Sequence, residues 1–245
     1  MSLEQLLAKN RRKIRSLIDT HHATIYLSIC RIRPKTRHIT ISKDTEIVIE
    51  GFPRSANTFA VAAFMFAQQR PVKVAWHLHA PAQVIAAVRR GIPYIVLIRN
   101  PRDAILSPLV RAPHISAEQT LKDYISFYGS IAPYRDKFVV GRFEEVTRNF
   151  GEVIRRVSAH FGTNFKSFEH TQQNVQKVFQ IMDEMDKQDT GLNEVKEETV
   201  ARPSAYREKM KSGAEAKLET PKARRLLLEA EEVYRMFIKD REAVD

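Results

Sequence analysis

Apolar positions along the chain follow two periods. Leu3, Leu6, Leu7, Ile14, Leu17 and Ile18 recur near every 3.6 residues, which predicts a helix over residues 2–19. Residues 23–32 and 38–41 are rich in Ile, Thr and Tyr and predict short strands about a turn at Pro34-Lys35. After that the pattern repeats as strand, loop and helix. A strand at 46–50 leads into a tight loop at 51–57 and an apolar helix at 58–69. A second strand at 72–76 precedes a helix at 81–90. Residues 92–98 (IPYIVLI) form a continuous apolar run, as expected of a strand buried on both faces of a parallel sheet. A helix opens at Pro101 and another covers 117–131. A fourth strand falls at 138–141, and helices follow at 146–161, about 171–187 and 223–239. The alternation predicts an α/β fold: three layers, α/β/α, with a central parallel sheet. Residues 1–43 read as a basic amino-terminal helix with short strands packed on the domain of residues 44–245. The polar stretch 186–212 is the expected mobile segment.

Composition narrows the class. A lone cysteine, Cys30, cannot form an intramolecular disulfide, which excludes a cystine-stapled fold and suits a reducing compartment. The longest apolar runs, such as residues 59–67, fall well short of the roughly twenty residues that a membrane span needs. No secretory signal pattern opens the sequence. A cytoplasmic protein, at most peripheral to a membrane, is the expectation. The formal net charge is +11, and it is uneven. Ten of the lysines and arginines fall within residues 1–43, against Glu4 and Asp19 alone, so this arm carries +8. Such an arm can meet an anionic surface, or it can be a solvated helix and edge strand. A nucleic-acid partner is not expected, because the charge does not run through the domain with interleaved aromatics.

Two segments can bind anions. The first, Gly51-Phe52-Pro53-Arg54-Ser55-Ala56-Asn57-Thr58, joins a buried strand to an apolar helix, where backbone N–H groups and a helix amino terminus face a phosphate-sized ligand. Against the Walker pattern G-x-x-x-x-G-K-[ST], Ala56 replaces the second glycine and Asn57 the lysine, while the cation sits inside the loop as Arg54. An ordinary ATP-binding loop would lack its main phosphate contact. The second segment runs from Arg99 through Asn100, Pro101 and Asp103 to Ser107. A buried strand delivers Arg99 to the carboxyl edge of the sheet, where ligands of open α/β sheets bind. Asn100 can cap the next helix and Pro101 suits its first position. Ser107 lies two turns along, so it and Arg99 can converge on one anion, although Pro108 then disturbs the helix. A merely well-capped helix would carry the same residues.

Together these segments resemble the sulfotransferases that use 3′-phosphoadenosine 5′-phosphosulfate (PAPS). In that family a P-x-S-G-T-T-type loop holds the 5′-phosphosulfate, and an R-N-P-x-D…S segment holds the 3′-phosphate. The matching residues here are Pro53, Arg54, Ser55, Ala56, Asn57 and Thr58 for the loop, and Arg99 with Ser107 for the second segment. A third element, a strand ending in an aromatic-acidic pair, is similar to Phe143-Glu144-Glu145. The likeness spans about residues 45–162. It departs at Ala56 and Asn57, and Phe59 stands where a tryptophan often stacks on adenine. The resemblance implies sulfuryl transfer from PAPS to an acceptor hydroxyl or amine, leaving adenosine 3′,5′-bisphosphate (PAP), with no metal required. The acceptor class stays open among carbohydrate, lipid, small molecule and protein.

The resemblance also supplies a base. Small-molecule sulfotransferases carry it in an H-x-P segment after a strand, a form that His79-Ala80-Pro81 fits; His77, two residues earlier, is the second candidate. Histidine titrates near neutrality and suits removal of an acceptor proton. Each can instead be a hydrogen-bonded strand-end histidine. As metal ligands the pair lacks a third and fourth partner nearby. A carboxyl-terminal basic loop commonly closes over the nucleotide in this family, and Arg202, Arg207 and Lys211 are candidates, with a solvated helix start as the other reading. Two further classes stay open: a P-loop nucleotide or small-molecule kinase, and a non-catalytic module for anionic partners.

Overall fold

The computed structural model describes residues 23–111, 115–191 and 213–239. Four parallel strands form one sheet: β1 (Ile47–Gly51), β2 (Val74–Trp76), β3 (Tyr94–Ile98) and β4 (Val139–Arg142), in the order β2-β1-β3-β4. Crossover helices join them: α3 (Asn57–Ala67) after β1, α4 (Pro81–Arg90) after β2, and α5 (Pro101–Arg111) with α6 (Ala117–Ile131) after β3. Helix α7 (Phe143–Phe161) follows β4. Then come α8 (Gln172–Thr190) and α9 (Pro221–Ile238).

Strand side chains alternate between two cores. Val48, Val96, Ile98 and Val140 point into one, packed with residues of α4, α5, α6 and α9. Ile47, Ile49, Ile95, Leu97 and Val139 point into the other, with α3, α7 and α8. This is the three-layer α/β arrangement expected from the apolar run at 92–98, whose strand residues are all buried. Each fully buried Val, Leu or Ile contributes about 1.5–3 kcal/mol relative to exposure, so the paired faces dominate the fold's stability.

The amino-terminal strands are a correction. Residues 23–32 form a helix, α1 (Ala23–Ile32), and a short α2 (Pro34–Arg37) replaces the turn. The Ile and Thr content suggested strands, but Tyr26, Leu27 and Cys30 fall on one helical face and are buried in the first core. Tertiary burial outweighs β propensity here. Ile25, Ile29 and Ile32 occupy the opposite face and are exposed. Residues 38–41 are irregular, tied to β2 by the Trp76 N–H bond to the Ile39 carbonyl. Helix α8 persists to Thr190, and Gly191 closes it at φ +68°. The helix expected at 2–19 and most of the polar stretch 186–212 lie outside the described residues.

Chain direction reverses across the sheet at one place. From β1 the chain moves outward to β2, then returns to the other side of β1 as β3. The switch point between β1 and β3 opens a crevice at their carboxyl ends, the usual ligand position in such sheets. Gly51 ends β1 there. A Cβ on it would clash with the Leu97 carbonyl oxygen, so only glycine lets β1 and β3 stay paired to their ends.

Candidate active site

The loop after β1 bends through two left-handed non-glycine residues, Arg54 (φ +70°) and Ala56 (φ +67°). Its polar side chains divide into two sets. Ser55 and Asn57 turn inward and are buried: Asn57 Nδ2 donates to the Phe52 carbonyl at 3.0 Å, and Ser55 Oγ lies 3.5 Å from Tyr128 Oη. They hold the loop's shape. Arg54 turns toward β3 and α5, its Nε donating to Ser107 Oγ at 2.8 Å. The first N–H groups of α3 have no intrahelical partner by helix geometry and face the same crevice.

Arg99, one residue beyond β3, braces that loop. Its Nη1 donates to the Arg54 carbonyl at 3.2 Å, and its guanidinium lies 3.9 Å from the centre of the Phe143 ring. A cation over an aromatic face is favourable, and it fixes the plane in which the guanidinium presents its N–H groups. Asn100 Oδ1 accepts from Arg102 N–H at 3.0 Å and so caps α5, which runs on past Pro108. The structure therefore brings Arg54, Arg99, Ser107 and Phe143 together from three separate segments. Phe59 does not join them. It is buried in the second core, edge-on to Phe168 and Phe179, and presents no open face on which a base could stack. Arg202, Arg207 and Lys211 lie outside the described residues.

The histidines sit on the turn after β2. The strand does not persist beyond Trp76, because His77 (φ +58°) and His79 (φ +50°) both adopt left-handed backbone. Their rings still approach, with centroids 5.0 Å apart. His77 Nε2 lies 3.2 Å from Thr58 Oγ1 in the first turn of α3. Burial, and then the neighbouring His79, push the His77 pKa down to about 3. His77 is thus neutral and a weak base. His79 Nδ1 lies 2.8 Å from the Gly51 carbonyl oxygen; since a carbonyl can only accept, Nδ1 carries the proton. In neutral imidazole this makes Nε2 the basic nitrogen.

Four residues that pattern reading missed hold these groups. Tyr128 Oη donates to the Leu97 carbonyl at 2.7 Å and accepts from Phe52 N–H at 3.2 Å. Tyr124 Oη, one helical turn earlier on α6, donates to the Arg99 carbonyl at 2.8 Å. Burial keeps both phenols protonated, with pKa values raised above the ordinary range. Glu50, in β1, accepts from Leu78 N–H at 2.8 Å and from Gln83 Nε2 at 3.3 Å. The signal was present for Glu50, an acid inside a strand buried along its whole length, and for two tyrosines spaced i, i+4 on one helix.

Among the described residues no cluster of three or more His, Cys, Asp or Glu is placed to hold a metal ion. No described helix is long and apolar enough to cross a membrane. A cavity of about 230 Å³ opens at the outer edge of β4, between Arg135, Arg156 and Phe237, and shares no residue with the crevice groups. No protein-family model and no curated protein sequence matches the chain. Among solved structures it aligns with mouse sulfotransferase SULT7A1 complexed with PAP, at 12% identity over 81% of this chain and 86% of that one. The TM-score is 0.44, too slight a likeness to speak for function.

Proposed function

We propose that this chain is a PAPS-dependent sulfotransferase acting on an acceptor hydroxyl or amine. The supporting observation is the convergence of Arg54, Arg99 and Ser107 at the β1–β3 switch point, with His79 on the adjoining turn. The residues present fit the donor: two guanidinium groups and a hydroxyl surround a crevice headed by a helix amino terminus. When bound, PAPS supplies the sulfuryl group, whose bond to the 5′-phosphate oxygen breaks as the acceptor oxygen bonds sulfur. Arg54 and the first α3 N–H groups offset negative charge at the bridging oxygen. Arg99 and Ser107 hold the 3′-phosphate, and a guanidinium is suited to that through paired hydrogen bonds. His79 Nε2 takes the acceptor proton.

Calorimetric titration with PAP, against 5′-ADP and Mg-ATP, tests this on wild type and Arg99→Ala. Binding of PAP alone, weakened at least about tenfold in the variant by loss of a charge-assisted contact, is the expected result. Equal or better binding of Mg-ATP would replace the proposal with a kinase. Failure of every nucleotide to bind would leave a non-catalytic module.

We assign the face of α1 and α2 to an anionic bilayer surface. Arg33, Lys35 and Arg37 are exposed beside Ile25, Ile29 and Ile32, and residues 23–43 contain no acid. Co-sedimentation with phosphatidylserine vesicles, abolished when the three cations become glutamate, is the expected outcome. Equal sedimentation of that variant would refute it.

A further inference from the structure

Glu50 is fully buried, it belongs to none of the phosphate-facing groups, and its Oε2 has no partner among the described residues. A carboxyl in such a position carries a desolvation cost, so its hydrogen bonds identify what it supports. The shorter of them ends on the histidine turn, and the other comes from the helix that follows it. Oε1 accepts from Leu78 N–H at 2.8 Å, and the nearby His79 and Ala80 N–H groups of the same turn favour the ionised carboxylate electrostatically. Gln83, fully buried in the first turn of α4, donates to the same oxygen at 3.3 Å. Gln83 is itself fixed, because its Oε1 accepts from Ile41 N–H at 2.8 Å. The carboxyl therefore has one orientation.

The turn needs that support. His77 and His79 both hold left-handed backbone without being glycine, a state that persists only when its surroundings over-determine it. One residue further along β1, the Gly51 carbonyl accepts from His79 Nδ1. Consecutive residues of one strand thus grip the turn twice, Glu50 by the Leu78 backbone and Gly51 by the His79 ring. We infer that Glu50 is the positioning residue of the base: it clamps the 77–80 backbone so that the His79 ring meets the Gly51 carbonyl and keeps its basic Nε2 toward the crevice. Burial holds the carboxyl neutral, with a pKa near 8, so the clamp is a set of hydrogen bonds and not an ion pair.

The role of the base rests on the sulfotransferase proposal; the clamp does not, and the test separates them. Nitrogen-15 NMR of the His79 ring reads the tautomer without any acceptor. Wild type is expected to show protonated Nδ1 and unprotonated Nε2. Glu50→Gln keeps an oxygen to accept the N–H bonds and should retain that signature. Glu50→Leu should lose it, moving toward the mixed tautomers of a free imidazole, while PAP affinity stays within about threefold because the arginine contacts are untouched. An unchanged ring spectrum in Glu50→Leu would overturn the inference. So would a PAP affinity that falls as far as in Arg99→Ala, since that marks general damage. Should Glu50→Leu not fold, hydrogen exchange on wild type decides. The Leu78 amide should be protected at least about 100-fold, and exchange at an unprotected rate would refute the clamp. If wild type shows the signature and a protected Leu78 amide yet binds no PAP, the clamp stands and the sulfotransferase proposal falls.

Discussion

The two sides of the crevice are held by different chemistry. Arg54, Arg99 and Ser107 rest on neutral groups: the Tyr124 and Tyr128 phenols, the Asn57 amide and backbone carbonyls. The histidine turn rests on a carboxyl group, Glu50. Yet burial raises the Glu50 pKa to about 8, so near neutral pH this side too is mostly without formal negative charge. The lesson is electrostatic. The site proposed to receive a polyanion is braced on both sides by groups that can hydrogen-bond without repelling it. Like charges a few ångströms apart in a poorly hydrated crevice would repel by several kcal/mol, so this choice of supports has consequences for binding.

The largest expected effect lies on the arginine side. Arg54→Ala should lower kcat for PAPS turnover by about 10²–10³, the usual result of removing one donor to a developing oxyanion. The rate with an acceptor found by screening measures it, and a loss below about threefold would remove Arg54 from the reaction. Next comes the neutral bracing. Tyr128→Phe leaves the Leu97 carbonyl and Phe52 N–H without their shared partner and should destabilise the fold by about 1–3 kcal/mol in urea denaturation. Amide exchange at residues 78–80 should not change; if it does, the two sides are one unit and the contrast fails.

Glu50→Gln sharpens the other side through pH. The folded protein holds the Glu50 proton up to about pH 8, whereas the unfolded chain releases it in the ordinary carboxylate range. The stability this group contributes is therefore whole below that range and is lost as pH rises toward about 8. The variant does not titrate, so its stability relative to wild type should improve by on the order of 4 kcal/mol from about pH 5 to about pH 9. A difference that stays flat with pH would mean that Glu50 is ionised in the folded state, and the two sides would then differ in charge after all.

The smallest effect concerns the loop itself. At Ala56, glycine would relieve left-handed strain but loosen the unfolded chain, and the two nearly cancel. Ala56→Gly should stay within about 0.5 kcal/mol of wild type by the same denaturation. A cost near 1 kcal/mol, as for glycine inside a helix, would show that the loop is not strained.

Much of the architecture was legible because its signals are local. The run at 92–98 can only be a strand buried on both faces, and Asn100-Pro101 can hardly do other than open a helix. Helix α1 was not legible, since Ile, Thr and Tyr suit a strand until a neighbouring helix buries one helical face. In the site, the segments bearing Arg54 and Arg99 could be read, as could the histidine pair. What they do to one another could not. The Arg54–Ser107 bond spans 53 residues and the Glu50–Leu78 bond 28, and no periodicity encodes either. Phe59 misled because its place in the loop pattern says nothing of the aromatic core that encloses it.

The end of β1 has one more consequence. The loop bearing Arg54 continues directly from Gly51, and the histidine turn hangs from the Gly51 carbonyl through His79 and from the Glu50 side chain through Leu78. Any displacement of that strand end is common to both, as vibration of an optical bench is common to two mirrors bolted to the same post. The gap between that loop and the imidazole is thereby insulated from breathing of the sheet, and it changes only with motions that bend the loop or the turn against their shared mount.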